Sequence, residues 1–267
     1  MLTERTPRVA AARKLLRRAG RERAGRFLVE GAQAVREAVG NARVHEIFAT
    51  GLALDRNAEL IDAAEDRGIT VTPVTDKAAD GLSDTVTPQG LVAVCDLVDV
   101  PTAQALTGAR LVAVLAGITE PGNAGAVLRA ADAAGADAVV FAGDTVDPHN
   151  GKAVRASTGS LFHLPVARER DLPTVLAALS GLTLLAADGH GELDLHSPEA
   201  AEVLAAPTAW VFGGEAHGVP AIVIDAADHR VRVPLYGRAE SLNLATAAAV
   251  CLYASAERHR SRITHRA

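Results

Sequence analysis

The stretch LVAVLAGITEPGNAGAVLRAADAAGADAVVFA, residues 111–142, decides the fold. It holds two continuous apolar runs, 111–116 and 138–142, on either side of a segment with helical spacing, 123–134, that ends before Gly135. Strands that are apolar on both faces are typical of parallel sheets covered by helices on both sides. The stretch therefore predicts a strand, a helix and a second strand of a parallel α/β sheet.

The same alternation continues downstream. Apolar runs predict strands at 182–187, 210–212 and 230–234. Helical spacing predicts a helix at 174–179 and a long Ala-rich helix at 242–257. The C-terminal part of the chain is therefore expected to be one parallel-sheet domain.

A second α/β block precedes a seam at residues 99–109. Its predicted strands, which are short and bounded by Gly, Pro, Asn or Asp, are 26–30, 44–49, 69–73 and 90–98, and its predicted helices are 32–39 and 58–66. The seam contains Pro101 and lacks strong periodicity. Two domains are predicted, residues 1–100 and 108–267.

Composition limits the classes of protein that remain. Of the 267 residues, 49% are apolar and only 3% aromatic, so the core must be built from Ala, Val and Leu. No apolar run is long enough to span a bilayer, and the N-terminus lacks the features of a secretory signal, so a cytoplasmic protein without a membrane partner is expected. Cys95 and Cys251 are the only cysteines, which excludes a disulfide framework and offers no Cys-x-x-Cys zinc site. No metal is expected.

Charge is distributed unevenly along the chain. The net charge is −5, but residues 1–30 carry nine Arg and Lys against three Glu, which leaves that segment at +6 and the remainder at −11. A basic arm on an acidic body indicates contact with nucleic-acid phosphates, although charge alone does not distinguish it from a solvated helix face. The candidate RNA-binding residues are Arg13, Lys14, Arg17, Arg18, Arg21, Arg23 and Arg26.

Three glycine-containing loops follow predicted strands, where open α/β sheets bind their ligands. In the first, 119–130, Asn123 is predicted to cap the following helix. Arg129 is a lone charge on that otherwise apolar helix. It indicates either a structural ion pair or a guanidinium that binds a phosphate or a developing charge. The spacing of the glycines is not that of the Gly-x-Gly-x-x-Gly dinucleotide fingerprint.

The second and third loops are equally distinctive. In 212–219, three glycines surround Glu215, which indicates a backbone that passes very close to another group or simply a tight turn. In 233–248, Ser241 is predicted to cap the final helix, with Asn243 in its first turn. The unpaired N–H groups of a helix N-terminus can bind an anion, although capping alone also explains Ser241.

Together these loops resemble the three motifs of the SpoU/TrmH branch of the SPOUT RNA methyltransferases. Pro-Gly-Asn-x-Gly-x-x-x-Arg at 121–129, Phe-Gly-x-Glu-x-x-Gly at 212–218 and Pro-x-x-Gly-x-x-x-Ser-Leu-Asn at 234–243 agree with them in order, spacing and residue type. Residues 152–165 resemble the segment between the first two motifs. Residues 26–38 are similar to the L30e-like substrate-binding domain that often precedes this branch.

The resemblance implies a fold and an activity. The C-terminal domain would contain a deep trefoil knot that holds S-adenosyl-L-methionine, and the protein would form a homodimer with active sites near the subunit interface. The reaction would be 2′-O-methylation of a ribose in RNA without a metal. We expect 23S ribosomal RNA as the substrate, with transfer RNA as the alternative.

The resemblance also assigns roles to individual residues. Arg129 would hold the target phosphate and stabilise the developing alkoxide, since a guanidinium stays protonated and is a poor base. Asn123 and Glu215 would orient Arg129 and the ribose, while Ser241 and Asn243 would fix the loop and contact the nucleotide. The expected cofactor-binding positions are Leu185, Gly213, Gly214, Val233, Leu235 and Leu242.

Three other functions remain open at this point. A non-catalytic RNA-binding or ribosome-assembly protein could use the same scaffold. A nucleotide-dependent oxidoreductase would need a different glycine spacing after its first strand. A metal hydrolase could take its ligands from the Asp, Glu and His residues of 188–196.

Overall fold

The structure, a computed structural model, describes residues 1–264, with the side chains of residues 1–260. Contacts divide the chain into two units. The first contains Met1–Val98 and Asp147–His163, and the second contains Asp99–Val146 and the chain from Leu164 onward. Within the described chain, no helix is both long and apolar enough to cross a membrane.

Strands and helices are numbered in chain order. The strands are β1 (Arg26–Glu30), β2 (Val44–Ala49), β3 (Thr70–Pro73), β4 (Leu91–Asp96), β5 (Leu111–Ala116), β6 (Ala138–Ala142), β7 (Val166–Glu169), β8 (Thr183–Ala187), β9 (Leu193–Asp194), β10 (Thr208–Gly213) and β11 (His229–Arg232). The helices are α1 (Pro7–Arg13), α2 (Arg18–Ala24), α3 (Ala32–Asn41), α4 (Gly51–Arg56), α5 (Ala58–Asp66), α6 (Asp76–Asp80), α7 (Thr102–Ala105), α8 (Pro121–Ala134), α9 (Gly151–Ser157), α10 (Leu172–Ala178), α11 (Pro198–Val203), α12 (Ala221–Ala226) and α13 (Leu244–Thr264).

The second unit is built on a parallel seven-stranded sheet in the order β7-β6-β5-β10-β8-β11-β9. The residues of β5 and β6 are buried throughout, as expected for strands covered on both faces. Helices α8 and α13 pack against each other and against β5. The predicted α/β fold with a parallel sheet is confirmed, and the trefoil knot stays a prediction.

The first unit is built on a smaller mixed sheet. Its strand order is β1-β4-β2-β3, in which β4 is antiparallel to both neighbours and β2 is parallel to β3. Helix α3 packs on β1 and β4, and α1 and α6 contribute to an apolar core with β1, β2 and β4. The predicted N-terminal α/β block is therefore present, with each of its four strands at or within two residues of the predicted bounds.

A buried ion pair fixes α2 within the first unit. Arg21 donates from Nε and Nη2 to Asp147 Oδ2 at 2.8 and 2.7 Å, and from Nη1 to the carbonyl of Leu15 at 3.0 Å. His149 Nδ1 lies 3.2 Å from the other Asp147 oxygen, while its Nε2 accepts from the Val98 backbone N–H. All three side chains are buried, so the carboxylate is the counter-charge that makes burial of Arg21 tolerable.

Residues 147–163 make further contacts with residues 1–98 of the first unit. The ring of Phe27 packs edge-on against His149, with centroids 4.7 Å apart, and stacks on Phe162 at 6.2 Å. Arg155 forms an ion pair with Glu30 at 3.1 Å. The predicted division placed this segment in the domain 108–267, whereas its contacts are with the strands and helices of residues 1–98. Sequence adjacency to the α/β repeat could not show these long-range contacts.

The buried ion pair makes stability depend on pH in a defined direction. Burial raises the pKa of Asp147, but the hydrogen bond from His149 and the charge of Arg21 outweigh it, so the pKa lies below its ordinary value. A carboxyl with a lowered folded-state pKa stabilises the fold above its unfolded pKa of about 3.9 and loses that contribution as the pH falls. We expect the difference in unfolding free energy between the wild type and Asp147→Asn to be constant above about pH 5 and to shrink in acid. Urea unfolding of both proteins from neutral to acid pH tests this, and a pH-independent difference would contradict it.

Two predicted helix starts are wrong. Helix α8 begins at Pro121, and Glu120 caps it by accepting from the Gly122 N–H at 2.9 Å, because proline fits the first helical position and moves the start ahead of Asn123. Helix α13 begins at Leu244, and the Asn243 side chain accepts from the Ala245 N–H at 3.0 Å. Asn243, rather than Ser241, is therefore the capping residue.

Candidate functional site

The predicted loops lie at one edge of the second sheet. Strands β5, β10, β8 and β11 are consecutive neighbours and run parallel, so their carboxyl ends meet at the same edge. The first loop follows β5, the second follows β10 and the third follows β11. This is the edge at which open α/β sheets bind ligands.

A chain of hydrogen bonds joins the three loops. Asn243 Nδ2 donates to Asn123 Oδ1 at 3.3 Å, and Asn123 Nδ2 donates to Glu215 Oε1. Each of these residues comes from a different motif. Asn123 lies in the first turn of α8, and Asn243 precedes the first residue of α13, so two long helices direct their N-termini toward this cluster. Helix N-termini carry partial positive charge and unpaired N–H groups, which favour an anion or an oxyanion.

Glycine is required where the first and second loops approach each other. A Cβ atom built on Gly214 would lie 2.5 Å from the Gly117 carbonyl oxygen, and one on Gly213 would lie 2.1 Å from the backbone of Gly218. Neither position leaves room for a side chain. The Gly218 N–H also donates to the Gly214 carbonyl at 2.8 Å, which closes the turn around Glu215. Gly214 therefore serves a close approach between the two loops, whereas Gly213 and Gly218 form a tight turn, so both interpretations that the sequence left open apply.

The remaining predicted catalytic residues stand apart from this chain. Arg129 lies on α8, six residues and about 9 Å along the helix axis from Asn123. Its side chain is exposed and forms neither an ion pair nor a hydrogen bond with any side chain described in residues 1–260. The structural ion pair considered from the sequence is therefore not found there. Ser241 is exposed in the loop before α13, and among the described residues it makes no hydrogen bond.

The predicted cofactor-binding positions border the same edge. Leu185 lies in β8 opposite Trp210 of β10, and its side chain is fully buried, so it can shape the site but offers no exposed surface. Gly213 ends β10, and Val233 follows β11 directly. Leu235 is 40% exposed, and Val233 and Leu242 are half-buried. The third loop therefore carries apolar side chains that solvent reaches.

Sequence reasoning missed two residues that shape this edge. Thr145 Oγ1 accepts from the Gly117 N–H at 2.8 Å and donates to the Ala142 carbonyl at 2.6 Å, which fixes the start of the first loop. Gly117 has a positive φ of 71°. A glycine directly after an apolar strand is a signal that could have found it, whereas nothing in the sequence marks Thr145.

The stretch 188–196 holds ion pairs. Arg230 pairs with Asp188 and Glu192, and Arg232 pairs with Asp194. In the described residues, no group of three His, Cys, Asp or Glu side chains is placed to hold a metal ion. The stretch therefore gives no support to the metal-hydrolase interpretation.

The seven candidate RNA-binding residues fall into two sets. Arg21 is buried against Asp147, so its prediction as an RNA contact is wrong for this structure, because the carboxylate already takes up its guanidinium. Arg18 pairs with Glu22 at 2.8 Å, and Arg26 lies 3.7 Å from Asp96. The other set, Arg13, Lys14, Arg17 and Arg23, is exposed and lines one groove.

The geometry defines a class of protein. It is a parallel-sheet α/β protein whose ligand site lies at the carboxyl ends of the central strands, with a chain of amide and carboxylate groups beside two helix N-termini. The SpoU rRNA methylase family matches residues 110–253, and an MRM3-like substrate binding domain matches residues 6–93. The chain belongs to the SpoU rRNA methylase family.

Relatives and solved structures resemble the chain over nearly its whole length. The 23S rRNA (guanosine(2553)-2′-O)-methyltransferase RlmP of Bacillus subtilis is 34% identical and covers 90% of this chain and 92% of its own. The AdoMet-bound rRNA methyltransferase from Sinorhizobium meliloti superposes with a TM-score of 0.79 at 27% identity, covering 95% of both chains. The SpoU methyltransferase AviRb from Streptomyces viridochromogenes, in complex with AdoMet, gives 0.81 at 29% identity over 97% and 100%.

Substitution of Gly213 tests the close approach within the second loop. Gly213→Ala must displace the backbone of Gly218 and Val219, and we expect it to lower the unfolding free energy by about 1–3 kcal/mol. Gly237→Ala is the matched control, because its Cβ would meet nothing within 4 Å. Chemical denaturation measures both. Equal stability of the two variants would show that the loop relaxes without cost.

Proposed function

We propose that this protein is an S-adenosylmethionine-dependent RNA 2′-O-ribose methyltransferase that acts on 23S ribosomal RNA. The observation that carries the proposal is the hydrogen-bonded chain Asn243–Asn123–Glu215, which joins the three family motifs at the ligand-binding edge of the sheet. Family membership and the 2′-O-methyltransferase relative support the same activity.

The residues at this edge fit S-adenosylmethionine. The turn at Gly213 and Gly214 leaves no volume for side chains, so a cofactor placed beside it would be held by backbone groups of these residues. Leu235 and Leu242 supply partly exposed apolar surface for an adenine ring. When bound, the cofactor supplies a methyl group already activated by a sulfonium.

The protein residues then position the acceptor. Arg129 has an exposed guanidinium that pairs with no side chain described in residues 1–260, and we assign it to the target phosphate and to the charge that develops on the ribose 2′-oxygen. The Glu215 carboxylate orients Asn123, and Asn123 in turn accepts from Asn243, so the amide groups are held in one arrangement. Ser241 lies in the same loop and is assigned to the nucleotide. Alignment of the reacting atoms is expected to lower the activation barrier, by about 7–11 kcal/mol in favourable cases.

We propose a homodimer as the active form and the cytoplasm, where ribosomes assemble, as its location. Tyr253 on α13 is 53% exposed, and its hydroxyl donates to the Ala133 carbonyl of α8 at 3.1 Å. The outer surface of the α8–α13 pair therefore carries an exposed aromatic ring and the exposed side chain of Arg129. Sedimentation equilibrium tests the dimer, and a monomer at the concentrations used for methyl transfer would contradict it.

The experiment that tests the activity is a map of ribose methylation. Ribosomal RNA from cells with and without this protein is compared for 2′-O-methyl groups, and the purified protein is then supplied with unmodified RNA and S-adenosylmethionine. We expect loss of a methyl group at one 23S position and its restoration in vitro. A methyl group lost from transfer RNA instead would change the substrate, and no change in any RNA would reject the activity.

A further inference from the structure

The first unit contains a groove formed entirely by its N-terminal segment. It lies between α1, the short turn at 14–16 and α2, and has a volume of about 500 Å³. Its lining includes the cations Arg13, Lys14, Arg17 and Arg23, and Leu16 contributes apolar surface. A groove of this size admits a nucleotide, since small-molecule sites span about 300–1,000 Å³.

Among the described side chains, the cations of the groove have no ion-pair partner. Arg13 donates from Nε to the Gly81 carbonyl at 3.2 Å, and no carboxylate described in residues 1–260 pairs with it. Lys14, Arg17 and Arg23 form no ion pair with any of the side chains described up to residue 260. Two other arginines of α2 are paired instead: Arg18 with Glu22 and Arg21 with Asp147.

Apolar residues also line the groove. Leu16 is half-buried, and Ala10 and Ala19 are exposed small residues of α1 and α2 that also line it. Helix α2 packs closely against the turn at 14–16 on this side of the groove, since a Cβ on Gly20 would lie 1.9 Å from the Lys14 carbonyl oxygen. Bases of a duplex are stacked inside it, whereas an unpaired base can lay its face on apolar side chains or on the plane of an arginine.

From these observations we propose that the groove binds an unpaired RNA strand, with a base in the groove and its phosphates on the four cations. The proposal rests on RNA being the substrate and adds its form, a single-stranded stretch held by residues 10–23. This site lies in the matched substrate binding domain, residues 6–93.

The test is equilibrium binding by the full-length protein, measured by fluorescence anisotropy across a series of salt concentrations. The probes are oligouridine, which has no secondary structure, and an adenosine–uridine RNA duplex of equal length. We expect oligouridine to bind more tightly than the duplex. For Arg17→Gln/Arg23→Gln, we expect the log–log salt slope for oligouridine to fall by about 1.4 and the affinity at 0.1 M salt to fall roughly 20-fold, because two phosphate contacts are lost.

Two further variants separate charge from shape. Arg5→Gln/Arg56→Gln removes the same charge from exposed positions outside the groove and should bind oligouridine like the wild type. Ala19→Gln places a longer side chain in the groove and keeps every cation. We expect it to retain the salt slope and to lose the preference for oligouridine over the duplex. Thermal unfolding of each variant verifies that it is folded.

Several outcomes would overturn the proposal. Equal losses in the two double variants would mean that the attraction is not specific to the groove. Tighter binding of the duplex, or competition by polyglutamate as effective as competition by oligouridine, would show that the groove does not select an unpaired RNA strand. Methyl transfer and S-adenosylmethionine binding are measured on the same samples. Normal methyl transfer by the groove variants would reject the role of the groove and leave the proposed activity standing.

Discussion

Replacing Arg129 with alanine is expected to lower kcat for RNA methylation by about 10²- to 10³-fold, the loss usually seen when one group that stabilises developing charge is removed. Stability should change little, because the side chain is exposed and pairs with nothing among the described side chains. Affinity for S-adenosylmethionine should also be preserved. The measurement is single-turnover methyl transfer to unmodified ribosomal RNA, together with calorimetric titration of the cofactor.

Arg129→Lys separates charge from geometry at this position. Lysine keeps the positive charge but cannot bind a phosphate with two parallel hydrogen bonds, so only part of the activity should return. Arg110→Ala is a suitable control, since it removes a cation from the start of β5, away from the carboxyl ends of the strands. Turnover of Arg129→Ala close to that of the wild type would remove this residue from the mechanism.

Replacing Asp147 with alanine is expected to lower the unfolding free energy by about 3–5 kcal/mol, since it leaves the Arg21 charge buried and unpaired. The side chains of both residues are only 4% exposed, so water cannot replace the carboxylate. Urea denaturation followed by circular dichroism measures the loss. A change below about 1 kcal/mol, the range of exposed pairs, would show that α2 moves and hydrates the arginine.

A second substitution tests whether the loss comes from the unpaired charge. Arg21→Met in the Asp147→Ala background removes that charge and should restore a large part of the stability, as apolar replacements of buried ion pairs often do. Glu22→Ala provides the surface comparison, because its pair with Arg18 is about half exposed and is expected to contribute about 0.3–0.5 kcal/mol. A double variant no more stable than Asp147→Ala would indicate that packing, and not charge, is responsible.

Much of the fold could be predicted because local patterns determine it. The strands at 111–116 and 138–142 are found at the predicted residues, since uninterrupted apolar runs bounded by turns leave little alternative to a buried strand. The motif spacing likewise placed Asn123, Glu215 and Asn243 at one edge, where hydrogen bonds now link them. Their catalytic roles stay predictions.

The errors arose where distant residues decide the outcome. Arg21 lies in the same basic segment as Arg17 and Arg23, and its burial depends on the approach of Asp147, which is distant in sequence. Similarly, Ser241 and Asn243 are both good caps, and the difference depends on which residue first adopts helical geometry. Pattern reasoning describes single segments and therefore cannot select between such equivalent candidates.

Because residues 147–163 belong to the first unit, hybrids between this protein and its relatives cannot be made by exchanging one continuous segment. A graft of residues 1–98 onto another methylase would carry Arg21 and Phe27. In the graft, the host's counterpart of residues 147–163 would have to supply the carboxylate that pairs with Arg21 and the ring that stacks on Phe27. Functional hybrids between relatives should therefore require both pieces from the same parent. Substrate preference would then be inherited through two separate parts of the gene, and swapping a contiguous module would not transfer it.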